Sequence, residues 1–308
     1  MLEKLLDILV CPACLPGERP LTLEAAKAQD GDILEGRLVC PACGAGYLIE
    51  GGLAELLPPG SAKPPAQAKY DQWRTLGAYL WSHYSDLWND PEASQAYGQW
   101  FKALELDGVR GLGLDAGCAV GRFTLEMAAE LGFAVGVDLS RTFAATARLL
   151  ARQGSLAFEA PGEGQLPVSY RVELPRRLTG LSVEFVLADA QALPFRQESF
   201  AAVATLNIVD KLPRPLEHLR QCQRVCARPG RLLFSDPFSW SESVAQPGDW
   251  LGGTKEKGPG LANVAGILGQ NPGWRAEVKE PVWWTIRDHP NRFERMRAQV
   301  VLARREIQ

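Results

Sequence analysis

The stretch LDAGCAVGR, residues 114–122, ends an apolar strand-like run and leads into a helix-like pattern. Gly117 and Gly121 permit a tight turn in which backbone amides approach a ligand closely, and the following helix N-terminus adds partial positive charge. Many nucleotide-binding loops have a third glycine between these two, where this sequence has Ala119. An alanine is tolerated there if its backbone φ stays negative and its methyl group points away from the ligand. Because the motif is weak alone, the surrounding elements decide its meaning.

From residue 110 onward, strand-like and helix-like segments alternate. GLGLDAG precedes GRFTLEMAAELG, AVGVDLS precedes RTFAATARLLARQG, and FAAVATLN precedes PLEHLRQCQRVCARPG and then the strand-like GRLLFSDPF. Strands separated by helices imply a parallel sheet covered on both faces. We therefore predict an α/β fold with a doubly wound, mostly parallel, Rossmann-like sheet.

The bulk composition limits the classes of function. The chain has 308 residues, 46% hydrophobic and 22% charged, and a formal net charge of -3, which is ordinary globular composition without a basic field for phosphate backbones. Its apolar runs are much shorter than the roughly 20 residues that span a bilayer. We predict a soluble, cytoplasmic protein with no membrane contact, for which nucleic acid is an unlikely partner.

Composition divides the chain into three zones. Residues 1–58 hold the paired cysteines, residues 59–69 belong to a proline-rich stretch predicted to be an extended linker, and residues 70–308 form the larger domain. Within the last zone, residues 70–106 are rich in aromatic side chains and predict a helical lid region, with two helices broken at NDPE, residues 89–92.

Two C-P-A-C motifs supply Cys11, Cys14, Cys40 and Cys43. Each C-x-x-C turn lets two thiolates reach one ion at about 2.3 Å, so the two pairs predict a tetrahedral Zn²⁺ site. A redox C-x-x-C would not need a matched second copy. Four thiolates leave no open coordination position, which makes this a structural zinc rather than a catalytic one.

The segments LLDILVCPAC and GRLVCPACGAGYLIEGGLAELLP resemble the small zinc-ribbon proteins that bind and activate methyltransferases. This resemblance covers about the first 58 residues. It implies that the module is a methyltransferase partner, carried here on the same chain.

Two acidic residues extend the nucleotide loop into a candidate cofactor site. Asp138 ends AVGVDLS, 17 residues after Gly121, where a carboxylate can accept hydrogen bonds from both hydroxyls of an unphosphorylated ribose, as in NAD or S-adenosylmethionine. Asp189 lies in LADAQALPF at the end of a third strand and suits an adenine amino group. The residues alone leave both cofactors open.

Residues 110–240 resemble class I S-adenosylmethionine-dependent methyltransferases in LDAGCAVGR, VDLS, LADAQALPF and RPGRLL. The resemblance implies a seven-stranded sheet in which Asp115, Gly117 and Gly121 frame the methionine end, Asp138 binds ribose and Asp189 flanks adenine. The full set of implied cofactor-binding residues is Asp115, Gly117, Cys118, Gly121, Asp138, Leu139, Asp189, Ala190 and Asn207.

A narrower resemblance runs from about residue 70 to 305. HYSDLW (83–88), LNIVDKLPRPLEHL (206–219), DWLGG (249–253) and VWWTIRDHPNRFE (282–294) resemble the C-terminal methyltransferase domain of the ovothiol-biosynthesis enzyme OvoA. A zinc ribbon replaces the preceding sulfoxide-synthase domain, and IRD stands where IRE is usual. The resemblance implies methylation of a small molecule at an imidazole nitrogen of a thiohistidine-like compound.

The candidate catalytic residues follow from that acceptor. An imidazole nucleophile needs a free lone pair, which Asp210 or Tyr84 could maintain by holding the proton on the other nitrogen. Arg287 could pair a substrate carboxylate in a two-pronged contact, although a surface ion pair is the alternative. Residues 160–180 form an insertion expected near the substrate mouth. The predicted acceptor residues are His83, Tyr84, Asn207, Asp210 and Arg287.

Two other functions fit the same sequence. A ribosomal or transfer RNA methyltransferase could use the ribbon as an RNA-recognition module through Arg19, Lys27 and Arg37, but the acidic balance argues against it. A non-catalytic scaffold would not need the acids of the nucleotide site. Besides the small-molecule substrate, the other partner considered is a second copy of the chain in a homodimer.

Overall fold

The computed structural model describes residues 1–61 and 65–306, and its largest feature is one eleven-stranded sheet. The strands are β1 (Thr22–Gln29), β2 (Asp32–Val39), β3 (Gly46–Glu50), β4 (Leu53–Leu56), β5 (Leu112–Ala116), β6 (Ala134–Asp138), β7 (Ser155–Pro161), β8 (Pro167–Glu173), β9 (Val183–Ala188), β10 (Phe200–Leu206), β11 (Cys226–Asp236), β12 (Trp274–His289) and β13 (Arg292–Arg305). The α-helices are α1 (Trp73–Tyr84), α2 (Ala96–Leu104), α3 (Arg122–Leu131), α4 (Arg141–Gln153), α5 (Pro215–Val225) and α6 (Gly260–Gly269).

Seven of the eleven strands form the predicted sheet. Their order is β9-β6-β5-β10-β11-β13-β12; the first five run parallel to one another, and β13 runs antiparallel to both β11 and β12. All six residues of β9 are buried, as expected of a strand with helices on both faces. The prediction of a doubly wound, mostly parallel α/β sheet is confirmed.

The cysteine-rich region continues this sheet. Strand β4 pairs in parallel with β9, with Ala54 opposite Val186 and Leu56 opposite Ala188, and β1, β2 and β3 follow it outward as antiparallel neighbours. Leu5, Leu9 and Tyr47 are buried in the same hydrophobic cluster as Val186. Composition divided residues 1–58 from residues 70–308, but their backbones share a sheet and their side chains share a core.

The second half of the predicted linker contacts the larger domain. Residues 62–64 lie outside the described residues, and Pro65–Asp71 forms a 3₁₀-helix instead of an extended chain. The Gln67 side-chain amide donates a hydrogen bond to the Lys211 carbonyl at 3.0 Å. The end of the linker is therefore attached to the larger domain.

Helices α1 and α2 occupy the region predicted to be helical, residues 70–106. A 3₁₀-helix, Ser85–Trp88, extends α1, and Asn89 ends it at a φ of +56°, at the predicted NDPE break. Gly77 lets α1 approach β7 closely, because a Cβ there would lie 2.1 Å from the Glu159 carbonyl oxygen. Among the described residues, no helix is both long and apolar enough to cross a membrane.

Candidate methyltransferase site

A cavity opens where the carboxyl ends of β5, β6, β9 and β10 meet. Its empty volume, including the open mouth, is about 910 Å³, within the range of small-molecule sites. Eight of the nine predicted cofactor residues line it: Asp115, Gly117, Cys118, Asp138, Leu139, Asp189, Ala190 and Asn207. Gly121, the ninth, instead precedes α3 in a left-handed conformation with a φ of +85°, and a Cβ there would lie 2.8 Å from Ala147 Cβ.

The nucleotide loop corrects our expectation for Ala119. We expected a negative φ, but Ala119 has a φ of +46°, a left-handed conformation that few residues other than glycine adopt. In this conformation its amide donates to Asp138 Oδ2 at 2.9 Å, while the Ser140 amide donates to Asp138 Oδ1 at 2.7 Å. The loop therefore fixes the predicted ribose-binding carboxylate in place.

Asp115 lies at the bottom of the loop, and its side chain is buried. The Thr124 hydroxyl donates to Asp115 Oδ2 at 2.8 Å. Burial raises the pKa of Asp115 to about 7, with the charge of Asp138 adding to the effect. The carboxyl can thus bind a cationic group once it is ionised. Without such a group, it keeps its proton up to a pH well above that at which an aspartic acid usually ionises.

The end of β9 forms the predicted adenine end of the cavity. Asp189 Oδ1 accepts hydrogen bonds from the backbone and side-chain nitrogens of Gln191, at 2.8 and 3.1 Å. His218 Nδ1 lies 2.9 Å from the Ala190 carbonyl, and its Nε2 lies 2.7 Å from the Thr205 hydroxyl. Our sequence interpretation missed His218, because no motif distinguishes this buried histidine from other residues on α5.

Five side chains from α1, α2 and β12 close the other side of the cavity, and we call them the aromatic wall. Tyr79 and His83 stack with centroids 5.5 Å apart, and Trp284 meets the His83 ring edge-on at 5.6 Å. Four of the members are at most 5% exposed. Of these five residues, the sequence identified only His83 as an acceptor residue. The aromatic wall is Tyr79, His83, Tyr97, Trp100 and Trp284.

Three residues that line the cavity carry buried polar atoms that have no hydrogen-bond partner among the described residues. These atoms are His83 Nε2, Trp284 Nε1 and Asn207 Oδ1. The other nitrogen of His83, Nδ1, lies 2.6 Å from the Tyr97 hydroxyl. Burial, together with the charge of Arg122, lowers the pKa of His83 to about 3, so the ring is neutral at physiological pH. Unpaired buried polar groups are costly, and a bound ligand would satisfy them.

Tyr84 and Asp210 do not line the cavity, which corrects their predicted contact with the acceptor. Tyr84 is completely buried, and its hydroxyl donates to the Val120 carbonyl at 2.8 Å. Asp210 Oδ2 accepts from the Ser239 amide and from Lys211 Nζ, both at 2.8 Å. Both residues hold neighbouring loops in place. The spacing of residues in the sequence does not distinguish this structural role from a catalytic one.

Arg287 is also outside the cavity lining, so the predicted carboxylate clamp is not in place. Its guanidinium carbon lies 4.8 Å from the Trp81 ring centroid and 5.3 Å from that of Tyr170, and its Nη1 donates to the Tyr170 hydroxyl at 2.6 Å. Side chains alternate along a strand, so Arg287 points away from the face of β12 that carries Trp284. The insertion expected near the substrate mouth contributes most of the β7–β8 hairpin, whose Tyr170 contacts Arg287, and none of residues 160–180 lines the cavity.

The four ribbon cysteines form a cluster whose sulfur atoms all lie within 4.8 Å of one another. Cys11 and Cys43 sulfurs are 3.7 Å apart, and those of Cys14 and Cys40 are 3.8 Å apart. Tetrahedral Zn–S bonds of about 2.3 Å give edges of roughly 3.8 Å, whereas a disulfide needs about 2.05 Å. The donor set and its spacing therefore fit Zn²⁺.

Comparison with family models identifies both regions. Residues 114–234 match the model described as a methyltransferase domain. The chain therefore contains a methyltransferase domain. Residues 3–52 match the model described as a Trm112p-like protein, in agreement with the predicted activator-like ribbon. The prediction of a methyltransferase domain preceded by an N-terminal ribbon of this kind is thereby confirmed.

Solved structures offer only distant likenesses to this methyltransferase. Magnesium protoporphyrin IX methyltransferase from Synechocystis PCC 6803 is 16% identical, with 80% of this chain and 99% of that one covered and a TM-score of 0.47. The YcgJ protein of Bacillus subtilis is 13% identical, covering 69% and 99%, with a TM-score of 0.45. No curated protein matches the chain. These values support no assignment of substrate.

Proposed function

We propose that this methyltransferase transfers a methyl group from S-adenosylmethionine to a small molecule bound against the aromatic wall. The acceptor suggested by the OvoA resemblance is an imidazole nitrogen of a thiohistidine-like compound. The observation that carries the proposal is that one cavity joins the predicted cofactor residues to the aromatic wall.

The cofactor half of the cavity fits S-adenosylmethionine by its donor set. Asp138 would accept from the ribose hydroxyls, Asp189 from the adenine amino group, and ionised Asp115 would face the methionine ammonium. When bound, S-adenosylmethionine supplies an already activated methyl group. The chain's own residues therefore need to hold the acceptor in line and exclude water.

The burial of the aromatic wall favours a small acceptor. His83, Tyr97, Trp100 and Trp284 are each at most 5% exposed, so an acceptor has to enter the cavity to touch them. Among the described residues that line the cavity, Lys211 is the one with a positively charged side chain, and its Nζ pairs with Asp210 at 2.8 Å. This lining has little with which to hold a phosphate backbone.

The thiohistidine-like acceptor is a finer proposal that rests on the resemblance. A flat, aromatic wall suits a planar ring, and His83 and Asn207 are predicted acceptor residues that line the cavity. Arg287 does not support the amino-acid part of this acceptor, because it contacts Tyr170 instead.

We further propose that Cys11, Cys14, Cys40 and Cys43 hold a structural Zn²⁺, which has no coordination position left for catalysis. The spacing of the four sulfur atoms supports this role. A cytoplasmic location and a homodimer stay predictions.

The test is to incubate the protein with labelled S-adenosylmethionine and a panel of thiol-imidazoles, amino acids and RNA, and to identify the product by mass. We expect label in a thiol-imidazole or another small ring compound. An Asp138→Ala variant, which loses the proposed ribose contact, serves as the control for cofactor-dependent transfer. Label recovered in RNA, with none in the small molecules, would falsify the proposal.

A further inference from the structure

The aromatic wall contains two neutral nitrogen groups whose hydrogen bonds are unmade. Trp284 Nε1 is a donor only, because an indole nitrogen has no lone pair to offer. It is buried and lacks a partner among the described residues, as does His83 Nε2. The two rings meet edge to face with centroids 5.6 Å apart, and both residues line the same cavity.

The Tyr97 contact decides which proton His83 presents. Burial raises the pKa of the Tyr97 phenol well above its ordinary value, so this hydroxyl keeps its proton. A phenol is a stronger acid than a neutral imidazole N–H, and it therefore donates to His83 Nδ1 across their 2.6 Å contact. The neutral imidazole then carries its single proton on Nε2. His83 and Trp284 thus both present N–H groups.

We propose that the N–H groups of His83 and Trp284 form a donor pair for an oxygen on a planar, uncharged acceptor, of the carbonyl or enol class. This inference rests on the coarser part of the proposed function, a small molecule bound against the aromatic wall, and it offers a carbonyl or enol compound in place of the thiohistidine-like acceptor. The donors are neutral and the surrounding rings are apolar, so a carbonyl-type oxygen suits them better than a group that is only a donor. The stacked rings of Tyr79 and His83 favour a flat ligand.

The donor pair is tested by binding, without turnover, on the full chain saturated with S-adenosylhomocysteine. Acetophenone and isopropenylbenzene have nearly the same shape, but only the former has an oxygen. We expect acetophenone to bind about tenfold more tightly in ligand-observed NMR titrations, since two hydrogen bonds separate the compounds. Equal affinities would overturn the donor pair without any variant being made.

Matched variants locate the effect. Trp284→Phe removes one N–H and keeps an aromatic ring, so it should weaken acetophenone about fivefold and leave isopropenylbenzene unchanged. Trp81→Phe is the control, because the Trp81 indole is also buried with an unpartnered Nε1 but does not line the cavity. If the control has the same effect on acetophenone as Trp284→Phe, the assignment to Trp284 is wrong.

The tautomer is tested separately by ¹⁵N NMR. The chain has three histidines, and the signals of His83 are those lost in His83→Phe. We expect the ¹⁵N chemical shifts of His83 to be those of the tautomer with its proton on Nε2. In Tyr97→Phe, the shifts should move towards those of a mixture of the two tautomers. A proton fixed on Nδ1 would refute the proposal. If acetophenone is preferred but no methyl group reaches any acceptor, the proposed function fails and the donor pair stands. If a methyl group is transferred but acetophenone is not preferred, the proposed function stands and the donor pair fails.

Discussion

The two halves of the cavity are encoded in different ways. The cofactor half comes from residues at the carboxyl ends of β5, β6 and β9 or directly after them, so each short motif places its own side chain at the same edge of the sheet. The aromatic wall comes from α1, α2 and β12, and its members are scattered from Tyr79 to Trp284. A motif can therefore specify where a cofactor binds, whereas the acceptor surface depends on long-range packing.

The largest expected effect separates the two halves directly. Asp138→Ala removes a carboxylate that the Ala119 and Ser140 amides hold in place, and we expect cofactor affinity to fall at least about 100-fold, or about 3 kcal/mol. Calorimetry with S-adenosylmethionine measures this loss. Glu130→Ala, an exposed acid on α3, is the control and should bind normally. Normal binding by Asp138→Ala would remove the ribose assignment.

The next prediction concerns the backbone of α1, the helix that carries two residues of the aromatic wall. Gly77→Ala places a Cβ against the Glu159 carbonyl at 2.1 Å, so α1 has to move away from β7 and carry Tyr79 and His83 with it. We expect a loss of about 2 kcal/mol in the free energy of unfolding, measured by urea denaturation. Acceptor binding should weaken more than cofactor binding.

The matched control for this change is Gly98→Ala on α2. A Cβ at Gly98 meets nothing within 4 Å, so replacing a helical glycine there should stabilise the protein by about 1 kcal/mol. If both variants lose stability equally, the close approach of α1 to β7 is not what holds the wall.

A smaller effect concerns Asp115 and depends on pH. Burial raises its pKa to about 7 in the folded protein, so between about pH 4 and 7 the folded state keeps a proton that the unfolded state has released. Stability therefore falls as pH rises through this window and stays reduced above it. Asp115→Asn should stabilise the cofactor-free protein by about 1–2 kcal/mol at pH 8, a gain that disappears near pH 4.

The same substitution should weaken cofactor binding about tenfold, because an amide cannot pair with an ammonium group. In the unsubstituted protein, affinity for S-adenosylmethionine should rise as pH increases through about 7. Thermal unfolding with and without cofactor measures both effects. A variant that loses stability at pH 8 would contradict the buried-carboxyl argument.

The separation along the chain between interacting residues explains which predictions from the sequence were confirmed. Alternating strands and helices predicted the central sheet, because that pattern is local. The junction of β4 with β9 was not predicted, since pairing between residues 54 and 186 leaves no local signal. Arg287 was misplaced for a related reason: its side-chain direction depends on the register of β12, which the motif around it does not reveal.

The smallest expected effect concerns Ala119 in the cofactor half, for which the predicted negative φ was wrong. Ala119 has a φ of +46°, a conformation that costs a residue with a Cβ roughly 1–2 kcal/mol. Glycine removes that cost but loses about 0.5–1 kcal/mol through backbone entropy, so Ala119→Gly should change stability by less than about 1 kcal/mol. Ala119→Val is the control, and its branched side chain should be clearly worse. Equal losses in Gly and Val variants, measured by denaturation, would mean that the alanine methyl makes a contact that the cofactor loop needs.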